Sequence, residues 1–360
     1  MIEFKKIELS ATFMDASGRR IRRTQQVRTD PVTLKKCRIT PSRALENERG
    51  TEMLYHPPEK DLDERKCPFC PGNLESMTPC LMPEISEKKR MSHNDSILFP
   101  NLFPYTEWSA VSLFDNAHHV EIGNAGLDSY RDSFINCSQY LVQVKKNDPA
   151  AIYMSITQNH LPGAGGSLVH PHLQVHATKQ ISDNHRVLEQ RAQAYEARFG
   201  QCILSDLLMA EKKRKKRYIG STGSWEWIAA FAPSGFYEIW GIAQNASSLL
   251  IPEKTQTWKD LAKGVLNTQK FYKSLNRNSY NLAMLSVEDG KNFPCLKVSL
   301  TARPSYAPWV RSDFTGFEIA SGEMATFTLP ESVADGAREF CHDPGDIPET
   351  NLKGEKGEKS

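Results

Sequence analysis

Three histidines and a glutamine recur at every second position of one segment. Alternate side chains share a face of an extended strand, so His170, His172, Gln174 and His176 are predicted to point the same way. A neutral imidazole is nucleophilic near pH 7 and can attack phosphorus. This pattern favours a chemically reactive strand face over a polar face whose histidines only form structural hydrogen bonds. Because proline cannot donate to a neighbouring strand, Pro171 predicts a strand at the edge of its sheet, or one that is locally open.

A glycine-rich turn comes directly before this segment. Gly163, Gly165 and Gly166 permit a tight turn whose backbone N–H groups could hold phosphate oxygens, and Ser167 adds a hydroxyl donor. Electrostatic stabilisation of the transferred group dominates phosphoryl-transfer reactions. Glycines that lead straight into a histidine strand therefore indicate nucleophilic chemistry at phosphorus.

A pair of cysteines offers a second chemistry. Cys67 and Cys70 are separated by two residues, which is the spacing of thiolate ligands in zinc sites. With no second cysteine pair of this spacing, a buried structural pair is the alternative.

Secondary structure must place these residues. The chain predicts a buried strand at 150–157 and the histidine strand at 168–178, with helices at 128–147 and 183–199, the second ending at Gly200. Strands at 225–232 and 236–243, a helix near 254–275 and strands at 281–287 and 296–302 follow. This order loosely echoes the first half, but the identity between the halves is too weak to prove a repeat. The basic run at 212–217 is predicted to be a solvated helix end or linker.

Composition narrows the class of protein. The chain has 360 residues, of which 39% are hydrophobic and 24% charged, so it can bury a sizeable core in two domains or one large domain. A formal charge of +2 gives no reason to expect a nucleic-acid or membrane partner. No apolar run reaches a membrane span, and the N-terminus does not read as a secretory signal. Eight cysteines are too sparse for a disulfide scaffold, so a reduced cytoplasmic protein is expected.

The motifs resemble those of galactose-1-phosphate uridylyltransferases, a branch of the histidine-triad (HIT) superfamily. The segment 170–174, His-Pro-His-Leu-Gln, preceded by Asn159 and Ser167, is similar to the active-site segment of that family. Glutamine at the third alternating position is the form of the transferase branch. Segments 28–43, 67–73, 99–103, 227–238 and 314–319 resemble further elements of the family in the same order.

The resemblance implies an α+β fold with two related HIT-like halves, each an antiparallel sheet with packed helices. We divide the chain into an N-terminal catalytic domain (1–204), a C-terminal domain (205–345) and a disordered tail (346–360). A homodimer is expected, because the carboxy-terminal element of the family, here Phe317 and Glu318, reaches the active site of a partner.

The same resemblance implies roles for individual residues. His172 would be the nucleophile of a ping-pong nucleotidyltransferase that moves a UMP-like group from a nucleotide sugar to a sugar 1-phosphate, and Gln174 would donate to a phosphate oxygen. Asn159, Ser167 and the glycine turn (Gly165, Gly166) would hold the phosphates, Arg43 would balance their charge, and Phe99, Asn101 and Phe103 would surround the base and ribose.

Zinc is implied by the resemblance, with His170 as a third ligand beside Cys67 and Cys70. The fourth ligand is unassigned, because no histidine follows Val120 where the family places one. Asp128, a water molecule, or the absence of a metal are the open alternatives. His118 and His119 are expected to lie away from the reaction path.

Two departures from the family pattern bear on the substrate. Leu102 stands where uridylyltransferases tend to have an aspartate, and the strand at 296–302 lacks histidines. Both favour an acceptor other than galactose 1-phosphate. The alternatives are a nucleotide-sugar or dinucleoside polyphosphate phosphorylase that uses inorganic phosphate, and a non-catalytic nucleotide-binding protein of the same fold.

Overall fold

A ten-stranded antiparallel sheet runs through the described part of the chain, which in this computed structural model comprises residues 2–42, 57–290, 295–306 and 312–341. Its spatial order is β4–β5–β6–β8–β7–β12–β13–β11–β10–β9. The first five strands along the chain are β4 (Met91–His93), β5 (Ser96–Pro100), β6 (Trp108–Leu113), β7 (Tyr153–His160) and β8 (His172–Thr178). The other five are β9 (Tyr218–Thr222), β10 (Trp225–Ala229), β11 (Phe236–Ala243), β12 (Ser279–Val287) and β13 (Lys297–Arg303).

The sheet consists of two halves with the same connectivity. In each half three strands are followed by a helix and two more strands, and the last strand lies between the third and the fourth. The helix is α2 (Leu127–Asn147) in the first half and α5 (Thr255–Ser274) in the second. The halves meet where β7 pairs with β12. The predicted α+β fold with two related halves is confirmed, and the topology reveals the repeat that sequence identity was too weak to prove.

One face of the sheet packs against helices α2, α5 and α7 (Pro330–Cys341) and forms the main core. Apolar side chains of α2 recur at three-and-four spacing, which buries Tyr130 and Phe134 under the sheet. The ring of Phe134 stacks on Trp258 of α5 at 5.7 Å, so the two repeat helices contact each other directly.

The opposite face is partly covered by two polar helices. Helix α3 (Asp183–Phe199) begins at Ser182, whose hydroxyl accepts from the His185 N–H, and ends at Gly200 with a φ of +65°, as predicted. Helix α4 (Ile203–Arg214) follows and packs on Trp240. The basic run at 212–217 is a solvated helix end as predicted, except that Arg217 is buried.

A smaller sheet, two short α-helices and three 3₁₀ turns complete the described structure. The sheet has the order β1 (Lys5–Met14), β2 (Arg20–Thr29), β3 (Lys36–Ile39) and β14 (Met324–Thr326). The short helices are α1 (Pro71–Met77) and α6 (Gly316–Ser321). Among the described helices, none combines the length and the apolarity that a membrane span requires.

The prediction that the histidine strand lies at a sheet edge is wrong. Strand β8 is internal, between β6 and β7. The reason is that the strand begins at His172 rather than at Leu168, so Pro171 precedes the paired residues and costs the sheet no hydrogen bond. The carbonyl of Pro171 instead accepts from the Phe114 N–H.

Three further expectations lie beyond what the structure tests. The division between residues 204 and 205 falls inside α4 and stays a prediction. Arg43 and the tail 346–360 lie outside the described residues.

Candidate active site and metal centre

His172 occupies the first position of β8, where a backbone carbonyl selects its tautomer. Its Nδ1 lies 2.7 Å from the carbonyl oxygen of His170. Because a carbonyl can only accept, Nδ1 carries the proton and Nε2 keeps its lone pair. Burial lowers the pKa of His172, while the bond to the His170 carbonyl raises it. The ring is therefore neutral at pH 7, which is the form that a nucleophile needs.

The predicted alternation is confirmed along β8. Leu173, Val175 and Ala177 are buried in the main core, which places His172, Gln174 and His176 on the opposite face. His176 is buried, its Nδ1 lies 3.1 Å from the Ser109 hydroxyl, and burial lowers its pKa to about 4.

The glycine turn between β7 and β8 uses its backbone donors internally. The N–H of Gly165 donates to Pro162, and the N–H of Gly166 donates to Leu161. Gly165 has a φ of +84°, and a Cβ on Gly166 would lie 2.9 Å from the carbonyl oxygen of Asn159, so both positions require glycine. A phosphate at this turn would have to be met by other donors, and the hydroxyl of the exposed Ser167 stands next in the chain.

Asn159 is held by the second half of the molecule. Its Oδ1 accepts from Asn281 Nδ2 at 2.7 Å, and the same Nδ2 donates to the carbonyl of Ala164 in the glycine turn. Arg303 donates to Asn281 Oδ1 at 2.8 Å and is itself paired with Asp313. Asn281 and Arg303 were not singled out from the sequence, because only the pairing of β7 with β12 brings them to the site.

A buried cluster of two cysteines and two histidines lies close to His172. The ligand atoms of Cys67, Cys70, His118 and His170 are within 4.8 Å of one another. Cys70 Sγ is 3.3 Å from Nδ1 of His118 and 3.7 Å from Nδ1 of His170. Two thiolates and two imidazoles form a common tetrahedral donor set, so these residues could hold a metal ion.

The surroundings of the cluster orient both imidazoles for this task. Nε2 of His118 lies 3.0 Å from the carbonyl of Asp61, and Nε2 of His170 lies 3.4 Å from the carbonyl of Asp115. Each carbonyl favours a proton on Nε2, which leaves Nδ1 to face the sulfurs. Burial lowers the pKa of His170 to about 4, whereas burial and the neighbouring Cys67 raise the pKa of Cys70 to about 12.

His118 could supply the fourth ligand, which the sequence pattern leaves unassigned. The chain from Asp115 onwards brings its ring into the cysteine cluster, while the expectation that it lies away from the reaction path stays a prediction. Asp128 is not a ligand: it lies on the exposed side of α2, where its carboxylate pairs with Arg131. The sequence does contain histidines near Val120 that could have indicated the fourth ligand. They precede Val120, however, whereas the family pattern has the histidine after it.

Phe69 lies between the cluster and His172. It lies between the two cysteine ligands in the chain, and its ring meets His170 at 6.0 Å and His172 at 5.4 Å, both edge to face. It also packs edge to face on Phe99 at 5.3 Å. One side chain of the cysteine loop is therefore in contact with both His170 and His172.

Comparison with known proteins places this arrangement in context. No family model matches the chain. It is 28% identical to a protein of Archaeoglobus fulgidus that bears no functional name, over 94% of this chain and 99% of that protein. It is 25% identical to ADP-glucose phosphorylase of Arabidopsis thaliana, over 87% of this chain and 92% of that protein.

Solved structures show the same fold. A crystal structure of ADP-glucose phosphorylase from Arabidopsis thaliana with bound ADP-glucose has a TM-score of 0.66 at 20% identity and covers 88% of this chain and 99% of its own. A uridylyltransferase structure has a TM-score of 0.62 at 18% identity and covers 88% and 98%. The resemblance to galactose-1-phosphate uridylyltransferase-like proteins is confirmed.

Other positions suggested by the resemblance lie in varied surroundings. Phe99 is fully buried in β5, whereas Phe103 is exposed in the loop that follows it. Asn101 Oδ1 accepts from the Phe103 N–H and so shapes that loop. Glu318 accepts from the Thr315 backbone at the start of α6, and Phe317 stacks on Arg38.

The second half of the chain contains a cavity on the same sheet face as Gln174. Paired positions run from Gln174 through Thr157, Ala283 and Ser299 to Trp240. At about 4.8 Å per strand, three strand spacings put β13 roughly 14 Å from β8. The cavity has a volume of about 380 Å³, and its lining includes Asp30, Glu238, Trp240 and Lys297. The ammonium group of Lys297 lies 3.9 Å from the centre of the Trp240 ring.

Proposed function

We propose that this protein is a nucleotidyltransferase that takes a nucleoside monophosphate from a nucleotide sugar onto His172 and passes it to a phosphate-bearing acceptor. The observation that carries the proposal is the bond from His172 Nδ1 to the His170 carbonyl, which leaves a neutral imidazole with its nucleophilic Nε2 unprotonated.

The reaction has two displacements. Nε2 of His172 attacks the α-phosphorus, a nitrogen–phosphorus bond forms, and the bond from that phosphorus to the bridging oxygen breaks, so that sugar 1-phosphate leaves. An oxygen of the acceptor phosphate then attacks the same phosphorus, and the bond to Nε2 breaks. His172 returns to its neutral form.

Neighbouring side chains stabilise the charge that shifts in these steps. The amide of Gln174, on the same strand face, would donate to a non-bridging oxygen of the α-phosphate. Asn159 accepts from Asn281 through Oδ1, so its NH₂ group is the part that would donate to a phosphate. Ser167 would add a hydroxyl. We further propose that Arg43, Asn101 and Phe103 bind parts of the nucleotide sugar, and that the buried Phe99 and the glycines at 165–166 shape the site without donating to the substrate.

We propose Zn²⁺ as the metal of the Cys67–Cys70–His118–His170 cluster. Four protein ligands fill a tetrahedral shell, which is typical of structural zinc. When bound, the ion supplies a stable cross-link and no reacting ligand position. The residues themselves then hold Phe69 against His172.

Inorganic phosphate is a second candidate for the acceptor, in place of a sugar 1-phosphate. The relative that is 25% identical over 87% of the chain is named ADP-glucose phosphorylase. With phosphate as the acceptor the same His172 intermediate would be released as a nucleoside diphosphate. The predicted homodimer belongs to this proposal as well, since Phe317 and Ile319 are exposed on α6.

The decisive experiment is intact-mass measurement after brief incubation with ADP-glucose or UDP-glucose. We expect wild-type protein to gain the mass of one nucleoside monophosphate in an acid-labile linkage, and His172→Ala to gain none and to lose activity by roughly a thousandfold or more. His93→Ala, at a histidine on β4, is the matched control and should behave as wild type.

Chasing the adduct distinguishes the candidates. Release that requires glucose 1-phosphate or galactose 1-phosphate supports the transferase, and release by phosphate alone supports the phosphorylase. An adduct that persists in His172→Ala contradicts the assigned nucleophile. Absence of any adduct and of turnover on wild type with both sugars favours the non-catalytic interpretation.

A further inference from the structure

Two cysteines far apart in sequence lie side by side outside the active site. The sulfurs of Cys202 and Cys295 are 3.6 Å apart although 93 positions separate them in the chain. Cys202 directly precedes α4, and Cys295 comes two residues before β13. Both side chains are half-buried, so neither is sealed in the core.

The surroundings of this pair favour a reactive thiolate. Cys202 is the N-cap residue of a helix of 12 residues, where backbone N–H groups stabilise negative charge. A hydrogen bond from Cys295 and the N–H of Ser205 lower the pKa of Cys202 to about 5, despite its partial burial. The Ser205 hydroxyl also lies 3.4 Å from the Cys295 sulfur.

Both sulfurs line a cavity. A cavity of about 430 Å³ is lined by Cys202 and Cys295 together with Ile203, Gln244 and Asn245. A small reagent therefore has space to approach either thiol. The other six cysteines differ. Cys37 and Cys137 are buried in the core with raised pKa values, and Cys67 and Cys70 belong to the cysteine–histidine cluster. Cys80 is exposed, and burial raises the pKa of the half-buried Cys341 to about 12.

We propose that Cys202 and Cys295 are a modification site that forms a reversible intramolecular disulfide by exchange with a low-molecular-weight disulfide. The Cys202 thiolate attacks one sulfur of the reagent, forming a mixed disulfide and releasing one thiolate. Cys295, losing its proton to solvent, attacks the Cys202 sulfur, closes the bond and releases the second thiolate. The reagent gains the two electrons that the protein loses. Closure shortens the 3.6 Å separation to about 2.05 Å, a change that side-chain rotation can supply.

The bond has a structural consequence that goes beyond the proposed catalytic function and does not depend on it. It ties the start of α4 to the segment that enters β13. Cys295 and Lys297 both line the 380 Å³ cavity in the second half, so oxidation constrains one wall of that cavity.

Peptide mapping tests the proposal. The full-length protein with its bound metal is incubated with oxidised glutathione, remaining thiols are alkylated, and the digest is analysed by mass spectrometry. We expect a Cys202–Cys295 cross-linked peptide that dithiothreitol reverses, and a rise in Tm of roughly 3 °C or more, because the cross-link closes a long loop.

Variants separate this pair from the other thiols. Cys295→Ser should stop at the mixed disulfide on Cys202, whereas Cys80→Ser should form the cross-link as wild type does. Alkylation of both Cys202 and Cys295 after treatment, or a bond from either one to a different cysteine, would overturn the proposal. The wild-type peptide map distinguishes these outcomes even where a serine variant does not fold.

Discussion

At the scale of single residues, backbone carbonyls decide which nitrogen of each histidine can react. The carbonyl of His170 binds Nδ1 of His172, so Nε2 keeps its lone pair. The carbonyls of Asp61 and Asp115 face Nε2 of His118 and His170, so Nδ1 faces the cysteines. Neighbouring histidines on one segment thus have opposite tautomers. Under the proposed function, one would react with phosphorus and the other would bind a metal ion.

Removal of one cysteine ligand tests the metal centre. We expect purified wild-type protein to contain about one equivalent of zinc per chain and Cys67→Ser to contain a small fraction of that, because a neutral hydroxyl is a poor replacement for a thiolate. Elemental analysis of the dialysed protein measures this content. Cys80→Ser, at an exposed cysteine, is the matched control. Equal zinc in Cys67→Ser and wild type would contradict the assignment.

The sequence predicts these residues unevenly. Alternation with a period of two identified His172, Gln174 and His176, since a strand imposes that period locally. His118 was missed because its contact with Cys70 joins residues 48 positions apart, and no local pattern encodes such a contact. Pro171 led to the wrong prediction of an edge strand, because a shift of one residue in the start of a strand decides whether a proline lies inside it or just before it.

At the scale of elements, the second repeat helix lies so close to the sheet that one position tolerates no side chain. Gly264 is buried in α5, directly over the indole of Trp227 in β10. Trp227 cannot move aside easily, because it is buried and its Nε1 donates to the Thr222 hydroxyl at 2.8 Å. Glycine is retained in the middle of a helix here for close packing.

Gly264→Ala should therefore destabilise the protein although alanine is the better helix former. Helix propensity favours the change by about 1 kcal/mol, but overlap of the new methyl group with Trp227 costs more, and we expect a net loss of roughly 2 kcal/mol in the free energy of unfolding. Urea denaturation measures it. Gly316→Ala in α6 has no atom within 4 Å of the new Cβ and should be neutral or slightly stabilising. Equal midpoints for Gly264→Ala and wild type would show that the packing relaxes.

Elements were predicted better than their arrangement. Helix α3 was predicted with its bounds, because Ser182 and Gly200 mark its ends locally. The pairing of β7 with β12 was not predicted, since strand order depends on contacts between distant segments. For that reason Asn281 and Arg303, which reach Asn159 across this pairing, were also missed.

At the scale of the whole molecule, a buried ionic network joins the small sheet to the large one. Glu331 of α7 accepts two hydrogen bonds from Arg28 of β2 and one from Arg217, which also pairs with Glu211. Both arginines are almost completely buried. Burial alone would raise the pKa of Glu331, but Arg28 and Arg217 lower it to about 2.

Glu331→Gln should weaken this junction strongly. The substitution leaves Arg28 buried without its charge partner, so we expect a loss of about 3 kcal/mol in the free energy of unfolding at pH 7. Asp335→Asn is the matched control on the same helix, because Asp335 is largely exposed, and should change stability by less than about 0.5 kcal/mol.

The pH dependence of stability provides an independent test of the Glu331 charge. The carboxyl pKa is lower in the folded than in the unfolded state, so its stabilisation is complete above about pH 4.5 and is lost as pH falls towards 2. The difference between wild type and Glu331→Gln should shrink over this range. A difference that stays constant with pH would mean that charge is not its source.

The seam between β7 and β12 also determines how this chain can be divided. Cut between its halves, each fragment would present a bare strand of eight or nine residues whose backbone N–H and C=O groups had lost their partners. An unpaired strand edge can pair with a strand of another molecule. A second copy of the same fragment, related by a two-fold axis, provides a matching strand. An isolated half would therefore tend to self-associate through this strand. In the intact chain, β7 and β12 pair with each other, so neither strand edge is available to another molecule.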